Sequence, residues 1–114
     1  MCKFGDIYYA DLPELTESSV QQGRRPVLIV SNDKFNQYST MVSIAPLTSK
    51  LGKHNIPTHV HISGYGLQKE SIILFEQTMV LDKSRLHGQI GSVKDQPMLE
   101  KIAKALKIQF NLTA

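Results

Sequence analysis

The stretch Gly23-Arg24-Arg25-Pro26-Val27-Leu28-Ile29-Val30 joins a polar segment to an apolar run. Gly23 permits a sharp turn, and Pro26 fixes its own φ and removes one backbone donor. The four consecutive apolar residues 27–30 predict a buried central strand. Arg25 is therefore expected where a loop becomes a rigid strand, and rigid placement of a permanent cation suits recognition of a phosphate or carboxylate.

Short strand-forming segments lie on both sides of this run. They are Asp6–Leu12, Thr40–Leu47, His59–Ile62, Ser71–Phe75, Met79–Leu81 and, as a last short strand, Gln89–Gly91. From Met98 to Phe110 apolar residues recur every three or four positions, which predicts an amphipathic helix with Asp95 as its N-cap. Five to seven strands, mostly in meander order, and one terminal helix predict a mainly β (α+β) fold, a small and partly closed barrel.

Composition limits the classes of protein that this chain can represent. Its 114 residues, 41% hydrophobic and 20% charged, predict a single domain over residues 1–114 with a normal core. A formal charge of +3 permits anionic partners without requiring them. Cys2 is the single cysteine, and the chain shows neither a signal-type apolar region nor a run of about 20 apolar residues, so we expect a cytoplasmic protein with no membrane role.

The two arginines have two interpretations. They can form surface ion pairs with Asp11, Glu14 or Glu17, or they can bind an anionic ligand. In phosphoryl chemistry a preorganised Arg stabilises charge that develops on the phosphate oxygens. Thr48, at the end of the third predicted strand, offers a hydroxyl for the same phosphate, although a Thr at a strand end more often satisfies a turn. Only proximity to Arg25 would give Thr48 a functional role.

Glu76 and Gln77 interrupt an apolar run, so their side chains either face solvent at a strand bend or project into a site. Gln77 is the better ligand contact because an amide can donate to and accept from a base edge. Glu76 is better suited to orient an Arg. Exposure of the two side chains to solvent and their projection into a site carry equal weight.

His59 and His61 share one face of a predicted strand, as a pair of metal ligands would. No cysteine pair, third histidine or carboxylate cluster completes a ligand shell nearby, and the chain has no nucleotide-binding or nucleophile motif. The sequence therefore predicts no metal site and no cofactor. A nuclease of this kind would act on RNA, whose own 2′-hydroxyl is a tethered nucleophile that DNA lacks.

Several segments, taken together, are specific to one family. They are Gly5–Leu12, Gly23–Asp33, Thr48, Pro57–Val60, Glu76-Gln77 and Leu81–Leu86. In order and spacing, over nearly the whole chain, they resemble the MazF/PemK toxins. The resemblance implies an SH3-like barrel and a homodimer. It also implies a sequence-specific endoribonuclease that cleaves single-stranded mRNA without metal, leaves a 2′,3′-cyclic phosphate and a 5′-hydroxyl, and is neutralised by a cognate antitoxin.

The same resemblance implies roles for individual residues. Arg25 and Thr48 would be catalytic. The positions that match RNA-contacting regions of relatives are Ser19, Gln21, Arg24, Ile56, Pro57 and Gln77. Val20 stands where relatives usually carry a loop glutamate, so no general base is carried over to this chain. Two alternatives remain open: a toxin of the same barrel type that poisons DNA gyrase without catalysis, and a plain RNA-binding module.

Overall fold

The computed structural model describes residues 1–14, 20–52 and 56–112. The strands are β1 (Asp6–Leu12), β2 (Gly23–Ile29), β3 (Met41–Thr48), β4 (His59–Ile62), β5 (Ser71–Leu74), β6 (Met79–Asp82) and β7 (Leu86–Ser92). The helices are α1 (Asp33–Tyr38) and α2 (Gln96–Gln109), and short 3₁₀ turns at Phe75–Gln77 and Lys83–Arg85 flank β6. The predicted mainly β fold with a C-terminal helix is confirmed.

The strands pair in antiparallel fashion around β3. Their order across the sheet is β4-β5-β3-β2-β1-β7, and β6 also pairs with β3. β3 changes partner along its length, because residues 41–44 pair with β6, 44–46 with β2 and 47–48 with β5. The sheet thereby forms a partly closed barrel, whose outer strands β4 and β7 do not pair within the described residues. Three connections depart from the expected meander order, because β3 and β4, β5 and β6, and β6 and β7 are not paired in the described part of the chain.

β2 is buried on both faces, as its apolar run predicts. Leu28 packs in a cluster that includes Phe75 and, from α2, Ile102. Val27 and Ile29 alternate to the opposite face of the strand and belong to a second cluster. All three β2 residues are fully inaccessible to solvent, and burial of each such side chain stabilises the fold by about 1.5–3 kcal/mol. β2, which also contains Arg24 and Arg25, is therefore firmly held in the core.

Two strands begin three or more residues earlier than the sequence predicts, whereas β3, β5 and β6 differ by one residue at one or both ends. β2 begins at Gly23 instead of Val27, because β1 pairs with it as far as Leu12 opposite Gly23. The two arginines consequently lie inside a strand and not in the loop before it. β7 covers residues 86–92 instead of 89–91, since its ladder with β1 supplies backbone hydrogen bonds that its polar, exposed side chains do not indicate.

α2 begins as its sequence predicts. The Asp95 carboxylate accepts a hydrogen bond from the Met98 amide at 3.1 Å, which satisfies one of the free donors of the first turn. Ile102 and Ala105 are buried against the barrel. Across the described ranges, neither helix has the length and apolar character of a membrane span.

Candidate active site

A cleft opens where β2 and β3 stop pairing. Their ladder covers three residue pairs and ends at Val27 opposite Pro46. From there β2 continues beside β1, whereas β3 pairs with β5 at residues 47–48. The Val30 N–H group donates to the Ser43 carbonyl oxygen, so alternate residues of β2, down to Pro26, face β3. Pro26 has no N–H group and cannot donate the next bond of this ladder. The cleft lies where that ladder ends.

Arg25 and Thr48 flank this opening. Continuing the β2–β3 register by two residues sets them opposite each other. Both line a cleft of about 220 Å³. Its full lining is Tyr9, Arg24, Arg25, Pro26, Leu47, Thr48, Ser49, Leu67, Gln68, Lys69 and Ser71. The proximity that would give Thr48 a functional role is thus present.

The Arg25 guanidinium is half-buried and held from one side. Its Nε donates to the Gln22 carbonyl oxygen at 2.8 Å. Neither terminal nitrogen has a hydrogen-bond or ion-pair partner among the described residues, which include Asp11 and Glu14 but not Glu17. One edge of the guanidinium group is fixed, and the edge with the terminal nitrogens is left for the cleft that Arg25 lines. This arrangement suits a bidentate contact with a phosphate.

The Thr48 hydroxyl is fixed in a similar way. The residue is 7% exposed, and its Oγ1 accepts a hydrogen bond from the Lys50 amide at 3.2 Å. Because Oγ1 acts as an acceptor there, its own proton is left to donate toward the cleft. Thr48 therefore combines the turn-satisfying role with a donor beside Arg25.

Arg24 belongs to a charged cluster at the cleft rim. Its Nε donates to Asp11 Oδ1 at 3.0 Å, and His87 Nε2 lies 2.7 Å from Asp11 Oδ2. Hydrogen bonds from Arg24 and then His87 lower the pKa of the Asp11 carboxyl to about 2. Arg85 Nη1 also donates to the Asp11 carbonyl oxygen, at 3.2 Å. The ion-pair interpretation is thus correct for Arg24, whose charge is balanced by Asp11.

Gln21 and Gln77, both expected to contact RNA, meet outside the cleft. The Gln77 Oε1 atom accepts a hydrogen bond from the Gln21 amide at 2.8 Å. This contact ties the 3₁₀ turn before β6 to the loop that precedes β2. Both side chains are half-buried, so each retains an accessible edge.

Two further positions expected to contact RNA do not line the cleft of Arg25 and Thr48. Ile56 and Pro57 are exposed, and Pro57 lines a groove between β4 and α2. Ser19 lies outside the described residues. Among the five positions that the structure describes, Arg24 is the one that lines the cleft itself.

The expectation that Glu76 orients an arginine is wrong. Its carboxylate accepts from Thr58 Oγ1 at 3.1 Å and contacts His59 Nε2 at 2.8 Å. The 3₁₀ turn that carries Glu76 points it toward the start of β4, away from β2. His59 is thus committed to a carboxylate, and the described residues contain no group of three His, Cys, Asp or Glu side chains placed to hold a metal.

Sequence reasoning missed several residues of the cleft. Tyr9 lies opposite Pro26 in the β1–β2 ladder, so only the strand register could have indicated it. Ser49 follows Thr48 directly. Lys69 adds a second exposed cation from the segment before β5, and no local pattern distinguishes it from other surface lysines.

Comparison with known proteins identifies the family. Residues 3–110 match the family described as PemK-like, MazF-like toxin of type II toxin-antitoxin system. The chain belongs to this family. Endoribonuclease EndoA of Bacillus subtilis is 40% identical over 112 residues, covering 96% of this chain and 95% of that protein. Endoribonuclease MazF of Staphylococcus saprophyticus is 43% identical over 114 residues, with 98% and 93% covered. This MazF-like toxin is an endoribonuclease of a toxin-antitoxin system.

Solved structures agree with the toxin fold. A mycobacterial endoribonuclease in complex with its cognate antitoxin superimposes with a TM-score of 0.80 at 25% identity, over 100% of this chain and 99% of that one. MazF of Deinococcus radiodurans gives a TM-score of 0.79 at 20% identity, with 96% of each chain covered. The second likeness concerns the fold alone.

Proposed function

We propose that this toxin cleaves single-stranded mRNA at specific sequences, without a metal ion, by attack of the ribose 2′-hydroxyl on the adjacent phosphorus. The observation that carries this proposal is the convergence of Arg25 and Thr48 on one cleft at the end of the β2–β3 ladder. The whole chain, residues 1–114, acts as one toxin domain in the cytoplasm.

Arg25 stabilises the transition state. As the O2′–P bond forms and the P–O5′ bond breaks, negative charge builds on the non-bridging phosphate oxygens. The free edge of the guanidinium donates two hydrogen bonds to those oxygens, and Gln22 fixes its orientation beforehand. Preorganisation matters because a donor that is already in place needs no rearrangement when the charge develops.

Thr48 orients the phosphate from the opposite wall by donating its hydroxyl proton. The 2′-hydroxyl loses its proton on attack and the departing O5′ gains one, so the products are a 2′,3′-cyclic phosphate and a 5′-hydroxyl. Arg25 is the candidate to assist the leaving oxygen. Val20 has no titratable group, so it cannot accept the 2′-hydroxyl proton.

The remaining contacts read or hold the RNA strand. Arg24 at the cleft rim binds a neighbouring phosphate. Unstacked bases of the RNA contact side chains and amides at the other positions expected to bind RNA. These positions are Ser19, Gln21, Ile56, Pro57 and Gln77. Such edges suit an unpaired strand, whose bases can be splayed out and hydrogen-bonded individually.

Two partners complete the proposal. A cognate antitoxin neutralises the toxin, as supported by the related mycobacterial endoribonuclease in complex with its cognate antitoxin. A second copy of this chain forms a homodimer through the apolar face made by α1, β6 and the end of α2. Its exposed large side chains include Phe35, Met41, Val80 and Phe110, which are 37–56% accessible. An apolar groove of about 590 Å³ lies among them.

The test is cleavage of a long unstructured RNA by purified protein in excess EDTA. We expect cuts at a short common sequence and cyclic-phosphate ends. Arg25→Ala should reduce the cleavage rate at least about 100-fold and Thr48→Val about 10- to 100-fold, because each removes a donor to a charged group. An RNA with a single 2′-deoxy substitution at the cut site should resist cleavage.

Lys94→Ala is the control, since it removes an exposed cation that does not line the cleft. It should retain wild-type cleavage. Retained activity in Arg25→Ala would remove Arg25 from the mechanism. If folded wild-type protein leaves RNA intact but inhibits DNA supercoiling by gyrase, the gyrase-binding alternative replaces this proposal.

A further inference from the structure

A second groove lies between β4 and α2, on the side of the helix away from the apolar face. This β4–α2 groove has a volume of about 360 Å³. Lys101 and Lys104 line its helical wall, His59 and His61 line its strand wall, and Val60 and Ala105 contribute apolar surface between them. No acidic side chain is part of this lining.

The lysine pair is placed to bind a polyanion. Residues three apart on a helix present their side chains to the same face, about 5–6 Å apart at Cβ. Lys101 and Lys104 are exposed, and neither forms an ion pair with a described residue. Glu76, beside the strand wall, accepts hydrogen bonds from His59 and Thr58. The ammonium groups are therefore available to a ligand.

The groove is continuous with the active-site cleft. A connecting cleft of about 310 Å³ shares His61 and Lys101 with the β4–α2 groove, and it shares Ser71 with the cleft of Arg25 and Thr48. Lys69 stands on the active-site side of this junction and Glu70 on the other. A chain that leaves the active site past Lys69 thus enters a path that ends at Lys101 and Lys104, neither of which forms an ion pair with a described residue.

The connecting cleft also offers an aromatic surface. Tyr65 lines it, and its hydroxyl donates to Asp95 at 2.7 Å, which fixes the ring beside the start of α2. Bases of single-stranded RNA stack on such rings with little sequence preference.

We propose that the β4–α2 groove is a remote RNA-binding site, in which Lys101 and Lys104 bind backbone phosphates of the same strand that is cut between Arg25 and Thr48. This inference rests on the proposed function. Continuity with the active-site cleft favours RNA over an acidic peptide, since a peptide would need only the groove.

The test compares Lys101→Ala/Lys104→Ala with Lys94→Ala/Lys107→Ala, which removes two exposed lysines that line none of these clefts. The probe is an RNA of about 30 nucleotides carrying a 2′-deoxy residue at the mapped cut site, and its affinity is measured from 50 to 300 mM salt. Loss of two phosphate contacts should weaken binding about tenfold and reduce the log–log salt slope by about 1.4. The control pair should match wild type, and thermal unfolding checks that both variants fold.

The outcomes separate the two proposals. An RNA trimmed to a few nucleotides around the cut site should show a smaller loss than the long RNA. If Lys101→Ala/Lys104→Ala cleaves RNA at the wild-type rate and the salt slope of its RNA affinity is unchanged, the RNA-binding role of the groove is overturned. The proposed function is then left intact. Unchanged RNA affinity together with weakened binding of an acidic antitoxin peptide makes the groove a protein-docking site and also overturns the inference. If the wild-type protein does not cleave RNA, the proposed function itself is overturned.

Discussion

The ionisation of Asp11 is strongly perturbed by its neighbours in the fold. It lies between Arg24 and His87, and these contacts lower the pKa of its carboxyl to about 2. A carboxyl group whose pKa is lower in the folded state than in the unfolded state stabilises the fold above its unfolded pKa, near 4. That stabilisation is lost as the pH falls through about 2.

We expect Asp11→Asn to lower the melting temperature between pH 5 and 7. The difference from wild type should shrink below pH 4 and approach zero only as the pH falls through about 2, where wild-type Asp11 becomes protonated. Because the group is exposed, added salt should also reduce the difference. Thermal unfolding across this pH range measures it.

Asp82→Asn is the control for this prediction, since Asp82 is an exposed carboxylate with no ion pair to a described residue. A shift of the same size and pH dependence in both variants would mean that the Asp11 cluster contributes nothing specific.

At the residue scale the sequence predicted part of the site. Residue type and position made Arg25 and Thr48 candidates with structural alternatives, the family resemblance implied their catalytic roles, and the structure places both on one cleft. The partner of Glu76 was not predictable, because it depends on how a 3₁₀ turn packs against β4. Lys69 was missed since its position depends on the path of a whole segment and not on its neighbours in sequence.

Among the elements, β7 depends on a close approach of backbone. At Gly91 an added Cβ would overlap the Tyr65 carbonyl oxygen, whereas at Gly88 it would meet nothing within 4 Å. Gly91 therefore lets the turn that carries Tyr65 pack directly on β7.

We expect Gly91→Ala to destabilise the protein by about 3 kcal/mol, at the upper end of the cost of overpacking. Gly88→Ala, in the same strand, should change stability by less than about 0.5 kcal/mol, as most exposed substitutions do. Urea unfolding of both variants measures the contrast. Equal destabilisation would mean that loss of glycine from the strand, and not the Tyr65 contact, determines the effect.

Elements with strong periodicity were predicted well. The alternation or continuity of apolar residues located β1, β3 and β4, and the spacing of three and four located α2. The first four residues of β2 and the ends of β7 were missed because polar side chains there are supported by pairing with β1. Such strands are formed by their neighbours, and a single sequence carries no local signal of that pairing.

For the molecule as a whole, the exposed apolar face predicts association. Val80→Asp would place a charge in the centre of the proposed dimer interface, where burial without a partner is strongly unfavourable. We expect the dissociation constant to rise at least about 100-fold, measured by sedimentation equilibrium or light scattering.

Leu51→Asp provides the comparison, because Leu51 is 49% exposed and does not belong to the apolar face. It should remain dimeric. A wild-type monomer at all concentrations, or a Val80→Asp protein that still dimerises, would contradict the proposed interface.

The proline at the end of the β2–β3 ladder has a consequence for inhibitor design. If the cleft could close by extension of the ladder, it would be open for only part of the time, and the affinity of every ligand would fall in proportion. Pro26 cannot donate the next bond of the ladder, which disfavours extension toward Arg25 and Thr48. A small, rigid dianion shaped to the fork of Arg25 and the hydroxyl of Thr48 would therefore find its binding site already formed.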